Sequence, residues 1–70
     1  MNDVNTVLKT IMKDHKVTQA DIARAFGISN QAVFNRFNGG SWKIDEVIKI
    51  LALADCRLVV ESGEIKRYIF

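Results

Sequence analysis

The chain has 70 residues, 49% apolar and 26% charged, a balance that describes one small globular domain without a separate effector module and excludes disorder. Ten basic residues against eight acidic ones leave a formal charge of +2, too little to identify a nucleic-acid binder by its total, so the placement of charge has to decide. One cysteine excludes a disulfide framework and a multi-cysteine zinc site, and no apolar run approaches the ~20 residues of a membrane helix.

No metal, cofactor, membrane or small-molecule partner is therefore expected. Cys56 reads as a small buried apolar residue in a reducing compartment. The N-terminus carries Asp3 and no basic stretch before an apolar run, so it is not read as a signal peptide and the expected location is cytoplasmic. With no Pro and four Gly, the composition favours helices joined by short turns.

Val4, Val7, Leu8, Ile11 and Met12 recur at three-four spacing and predict a first helix over about 3–15. Asn2 or Asp3 can cap it, and Lys13, His15 and Lys16 gather at its far end, where the helix dipole favours cations. His15 has no Cys or His partner nearby and reads as solvated surface. Thr18 and Asp21 form an approximate capping box for a second helix over about 19–26, with Ile22, Ala23 and Phe26 on one face and Gly27 as its left-handed exit. Ser29 is a strong cap for a third helix over about 30–38, stopped by Gly39 and Gly40. Two helices separated by a three-residue Gly turn cannot continue collinearly, which is helix-turn-helix spacing.

Trp42 follows the glycine loop and is expected to pack over loop and core. Asp45 can cap a fourth helix over about 45–54, whose Val47, Ile48, Leu51 and Ala52 stripe, widened by Ile50, Leu53 and Ala54, belongs at the centre of the core. From Cys56 the apolar period changes to two, which predicts a β-hairpin with strands at about 56–61 and 64–70 around Ser62-Gly63. A two-residue loop pairs Val60 with Ile65, Leu58 with Arg67 and Cys56 with Ile69, giving a face that covers the helices. It also sets Glu61 opposite Glu64, so a four-residue loop that keeps the same pairing is equally open. On the second face, Val59, Tyr68 and Phe70 form an apolar patch of the kind that marks an interface.

The third helix carries the chemistry. Val33 and Phe37 turn inward, leaving Gln31, Phe34, Asn35 and Asn38 outward. A carboxamide offers a donor beside an acceptor, the pattern of adenine's major-groove edge, and a Phe in the row suits a thymine methyl. From Lys16 to Lys43, both included, there are four basic residues against Asp21 alone, a net charge of +3, while no acidic residue lies between Asp21 and Asp45 to repel phosphate.

The run from Val17-Thr18-Gln19-Ala20-Asp21 through Ile22-Ala23-Arg24-Ala25-Phe26 to Gly27-Ile28-Ser29, followed by Val33 and by Asn38-Gly39, resembles the lambda-repressor/Cro-like helix-turn-helix regulators, the XRE family. The resemblance spans roughly residues 4–54 and departs at Arg36-Phe37, where many members have an apolar residue followed by Glu. It implies a mainly α, four-helix lambda-repressor-like domain with a C-terminal hairpin, residues 1–70 forming one DNA-binding unit. It implies further that Ser29, Asn30, Gln31, Phe34 and Asn35 face base edges. Gln19, Arg36, Asn38, Gly39 and Lys43 would hold the DNA backbone, and the hairpin would join two subunits through Val59, Tyr68 and Phe70. The resulting expectation is a sequence-specific, double-stranded DNA-binding transcriptional regulator, a homodimer and not an enzyme. The alternative is a protein-interaction module on the same fold, such as an antitoxin or anti-repressor.

Overall fold

Local hydrogen bonds start and stop each helix within a few residues. The computed structural model describes residues 3–64 and 66–70. Asp3 caps α1 (Val4–Asp14), its carboxylate accepting the Asn5 N–H at 2.8 Å. Thr18 caps α2 (Gln19–Phe26), and Ser29 caps α3 (Asn30–Phe37) by accepting the Ala32 N–H at 3.1 Å. The last helix, α4 (Ile44–Leu53), begins one residue earlier than the sequence suggests. Its cap position is Lys43, not Asp45, because Glu46 in the first turn reaches back and accepts the Lys43 N–H at 2.8 Å.

All four helices end in one way. A backbone N–H returns to the carbonyl five residues before it: Val17 to Met12 at 2.8 Å, Ile28 to Ala23 at 3.0 Å, Gly40 to Asn35 at 3.0 Å and Cys56 to Leu51 at 2.8 Å. Each closure needs a positive φ at the residue before the donor, which is Lys16 (57°), Gly27 (67°), Gly39 (118°) or Asp55 (59°). Two of the four sites hold glycine. Lys16 and Asp55 carry side chains into the left-handed region, where a Cβ meets the following carbonyl.

The core takes two or three side chains from each helix: Leu8 and Met12, Ile22 and Ala23, Val33 and Phe37, then Val47, Ile50 and Leu51. Burying one such aliphatic side chain contributes about 1.5–3 kcal/mol. Ile11, Val17, Phe26, Ile28, Trp42, Cys56 and Leu58 pack around this centre. Val4 and Val7, expected inside, are exposed; Val4 lies at the rim of a shallow hollow shared with Trp42, Ile44 and Val47. Leu53 and Ala52 likewise face outward at the end of α4. No helix among the described residues is long and apolar enough to cross a membrane.

The hairpin differs most from expectation. Its strands, β1 (Val59–Glu61) and β2 (Arg67–Ile69), are antiparallel and shorter than the periodicity implies. Val59 opposes Ile69, Val60 opposes Tyr68 and Glu61 opposes Arg67, a register shifted by three residues from the expected one. Charge supplies the reason: a longer loop sets Glu61 against Arg67, with an ion pair at 2.7 Å, where the tighter turn would have set it against Glu64. Ser62 N–H donates to the Lys66 carbonyl at 3.0 Å to close that loop. An odd shift exchanges faces. Val60 and Tyr68 now share a side with Leu58 and Phe70, whose backbones are bonded at 2.8 Å, while Val59 lies opposite with Ile69. Val59, Tyr68 and Phe70 thus do not form one patch. The hairpin also does not cover the helices: Cys56 and Leu58 tether it to the core, and both faces beyond them are exposed. The alternative cap Asn2 and the expected partner Ile65 lie outside the described residues. His15 is exposed, as expected for solvated surface, but its Nε2 lies 3.7 Å from the Cys56 thiol, a partner 41 residues away.

Candidate nucleic-acid interface

Positioning of α3 begins two elements earlier. Thr18 and Asp21 cap each other, Thr18 N–H donating to the Asp21 carboxylate at 2.9 Å and Asp21 N–H to the Thr18 hydroxyl at 3.2 Å. The Thr18 backbone donor, the Thr18 hydroxyl and the Arg24 guanidinium hold the Asp21 carboxyl below its ordinary pKa. Gln19 is the first residue of α2 and is half-buried. Gly27 and the Ile28 anchor then turn the chain, and Ser29 starts α3 against α2.

On α3 the two faces separate cleanly. Val33 is 0% and Phe37 4% exposed, whereas Phe34, between them in sequence, is 48% exposed. Asn30, Gln31, Asn35 and Asn38 are exposed too. Gln31 Nε2 donates to Asn35 Oδ1 at 3.1 Å, so the two amides one turn apart form a linked pair. Asn38 folds back, its Nδ2 donating to the Phe34 carbonyl at 2.9 Å, and serves as a C-terminal cap of α3. Ser29 commits its oxygen to the helix cap but keeps its O–H as a donor.

Arg36 is placed differently from the expectation that it holds a phosphate. Its guanidinium pairs with the Glu46 carboxylate on α4 and lies over the Trp42 ring, 5.1 Å from the centroid. Lys43 N–H, chiefly, and Arg36 hold the Glu46 carboxyl below the usual carboxylate range, outweighing its partial desolvation. Extending the span from Lys43 to Glu46 takes in Asp45 as well and lowers its net charge from +3 to +1. Lys43 itself remains exposed on the loop after α3.

Trp42 acts as a shim behind the interface. It meets Phe37 edge-on at 5.2 Å and Phe26 at 5.6 Å, joining the ends of α2 and α3 to the loop. Asn5 on α1 adds a long-range tie, its Nδ2 donating to the Phe37 carbonyl at 3.3 Å. Gly40 passes so close to α3 that a Cβ there would lie 2.9 Å from Arg36 Cα. Sequence reasoning missed Asn5 and Glu46. Glu46 has a local signal, its third-residue position after Lys43; Asn5 has none, because its partner is 32 residues away.

An outward amide pair and an aromatic ring thus stand on a helix anchored from behind and entered by a tight Gly turn. Neither the curated proteins nor the solved structures yield a match to the chain. A family model described as helix-turn-helix matches residues 8–60, which takes in α2, the turn, α3, α4 and most of what packs on them. The chain belongs to this family of DNA-binding regulators, the lambda-repressor/Cro-like or XRE helix-turn-helix proteins.

Proposed function

We propose that the protein is a sequence-specific transcriptional regulator of the Cro/repressor kind, binding double-stranded DNA as a homodimer with α3 in the major groove. The observation that carries this reading is the exposure of Gln31, Phe34 and Asn35 on a short helix whose opposite side is fully buried. Ordinary solvated helix faces mix Glu with Lys; amides around an aromatic ring suit base edges instead. Ser29, Asn30, Gln31, Phe34 and Asn35 face the bases in this reading. Gln19, Asn38, Gly39 and Lys43 hold phosphates and set the register of the helix, while Arg36 fastens α3 to α4. The free thiol of Cys56 fits a reducing setting, where chromosomal DNA would be met.

The hairpin supports a homodimer, since it exposes apolar side chains on both faces and two strand edges. Leu58, Val60, Tyr68 and Phe70 make its more continuous apolar face. Pairing two copies there would join two recognition helices in one molecule, as half-sites about 34–36 Å apart, one helical turn of duplex, require.

Selection of bound duplexes from a random pool, followed by a salt titration of the best duplex, tests the reading. Enrichment of a palindrome, with affinity falling by a log–log slope of about −0.9 for each phosphate neutralised, is the expected result. No enriched duplex, together with a salt-insensitive protein partner, would overturn it in favour of a protein-interaction module.

A further inference from the structure

We infer that Phe34 sets the base preference of the protein by packing on the 5-methyl group of a thymine, beside an adenine read by Gln31. The inference rests on the proposed DNA-binding role of α3 and names what that helix reads.

Three observations narrow the choice. First, the outward face of α3 has no free cation. Guanine offers two adjacent acceptors, matched most often by a bidentate Arg or by Lys, but Arg36, the cation of this helix, is held by Glu46 and Trp42. Second, the amides are ordered. Gln31 gives one N–H to Asn35 and keeps the other N–H and its carbonyl, the donor and acceptor that adenine's edge requires. Asn35 fixes the orientation of that amide by accepting from it, and Asn38 has turned away to cap the helix. Third, Phe34 stands between them in the same row, 48% exposed, with its neighbour Val33 wholly buried. An apolar ring left in water on an otherwise polar strip gains most from an apolar partner. The thymine methyl is the apolar group on the major-groove edge of unmodified bases. A·T pairs therefore lie under the centre of α3.

Single replacements of thymine by deoxyuridine in the best selected duplex test this, because they remove one methyl and leave all hydrogen-bonding groups in place. One thymine in each half-site is expected to weaken binding roughly fourfold on replacement, the affinity equivalent of one buried methyl. Phe34→Ala should lose that sensitivity at the same position while keeping its helical circular dichroism and salt slope; Phe34→Leu should retain part of it. Uniform indifference to deoxyuridine, an undiminished penalty in Phe34→Ala, or selected half-sites with only G·C pairs under α3 would each overturn the inference and leave the DNA-binding reading standing. Failure to enrich any duplex overturns both.

Discussion

Gly27 and Gly40 flank α3 and are required for different physical reasons, which substitution separates. A Cβ at Gly40 would lie 2.9 Å from Arg36 Cα and 3.1 Å from the Asn35 carbonyl oxygen, both backbone atoms of a helical turn. Ordinary carbon contacts need about 3.5–4.0 Å, so the loop would have to retreat by roughly 0.5–1 Å. Retreat stretches the Gly40 N–H to Asn35 carbonyl bond, now 3.0 Å, that closes α3. Overpacking of this kind costs about 1–3 kcal/mol, so Gly40→Ala should destabilise by about 2 kcal/mol. For a domain of this length, whose whole stability is about 4–10 kcal/mol, that is a large share. At Gly27 nothing lies within 4 Å of a Cβ, but φ is +67°. Gly27→Ala should cost about 1 kcal/mol, the left-handed penalty less what the stiffer unfolded chain returns. Asparagine tells the two apart: it tolerates the left-handed region, so Gly27→Asn should recover much of the loss, while Gly40→Asn carries the same offending Cβ and should recover none. Urea unfolding followed by far-ultraviolet circular dichroism measures all four. A Gly40→Ala change within about 0.5 kcal/mol of wild type, or rescue by asparagine at Gly40, would refute the close-approach argument.

The division of the interface predicts that Gln31→Ala and Asn35→Ala each weaken binding by about 1–3 kcal/mol and relax preference at one base step, whereas Lys43→Ala weakens all duplexes alike and reduces the salt slope by about 1, measured by fluorescence anisotropy. Glu46 binds its proton less readily in the folded chain than in the unfolded one. Its stabilising contribution is thus present at neutral pH and is lost as pH falls through its folded value, below the usual Glu range near about 4.3. Glu46→Gln should therefore lower the urea midpoint at pH 7 and differ less from wild type at pH 3. Lys16→Gly should raise stability by about 0.5–1 kcal/mol, because it removes a side chain from a φ of 57° at an exposed helix exit; thermal unfolding checks it. Tyr68→Asp should weaken self-association in sedimentation equilibrium more than Val59→Asp, since the observed register places Tyr68 with Val60 on the more continuous apolar face.

The sequence by itself determined the four helices, their helix-turn-helix order and the inward and outward faces of α3. Thr18 with Asp21, Ser29 with Ala32, and Val33 with Phe37 all act within four residues, so spacing along the chain is enough to read them. The same locality made Gly27 and Gly39 legible as exits while hiding Lys16 and Asp55, whose left-handed backbones are imposed by the return bonds of Val17 and Cys56 and not by their own preference. Only the tertiary structure decided the rest. The hairpin register depends on which charge meets Glu61 across the turn, the loss of Arg36 to Glu46 depends on the first turn of α4 coming back to the last turn of α3, and the meeting of His15 with Cys56 depends on two helix ends 41 residues apart. Periodicity shows which side of an element seeks cover. Which partner supplies that cover, or neutralises a charge, is settled when distant segments pack.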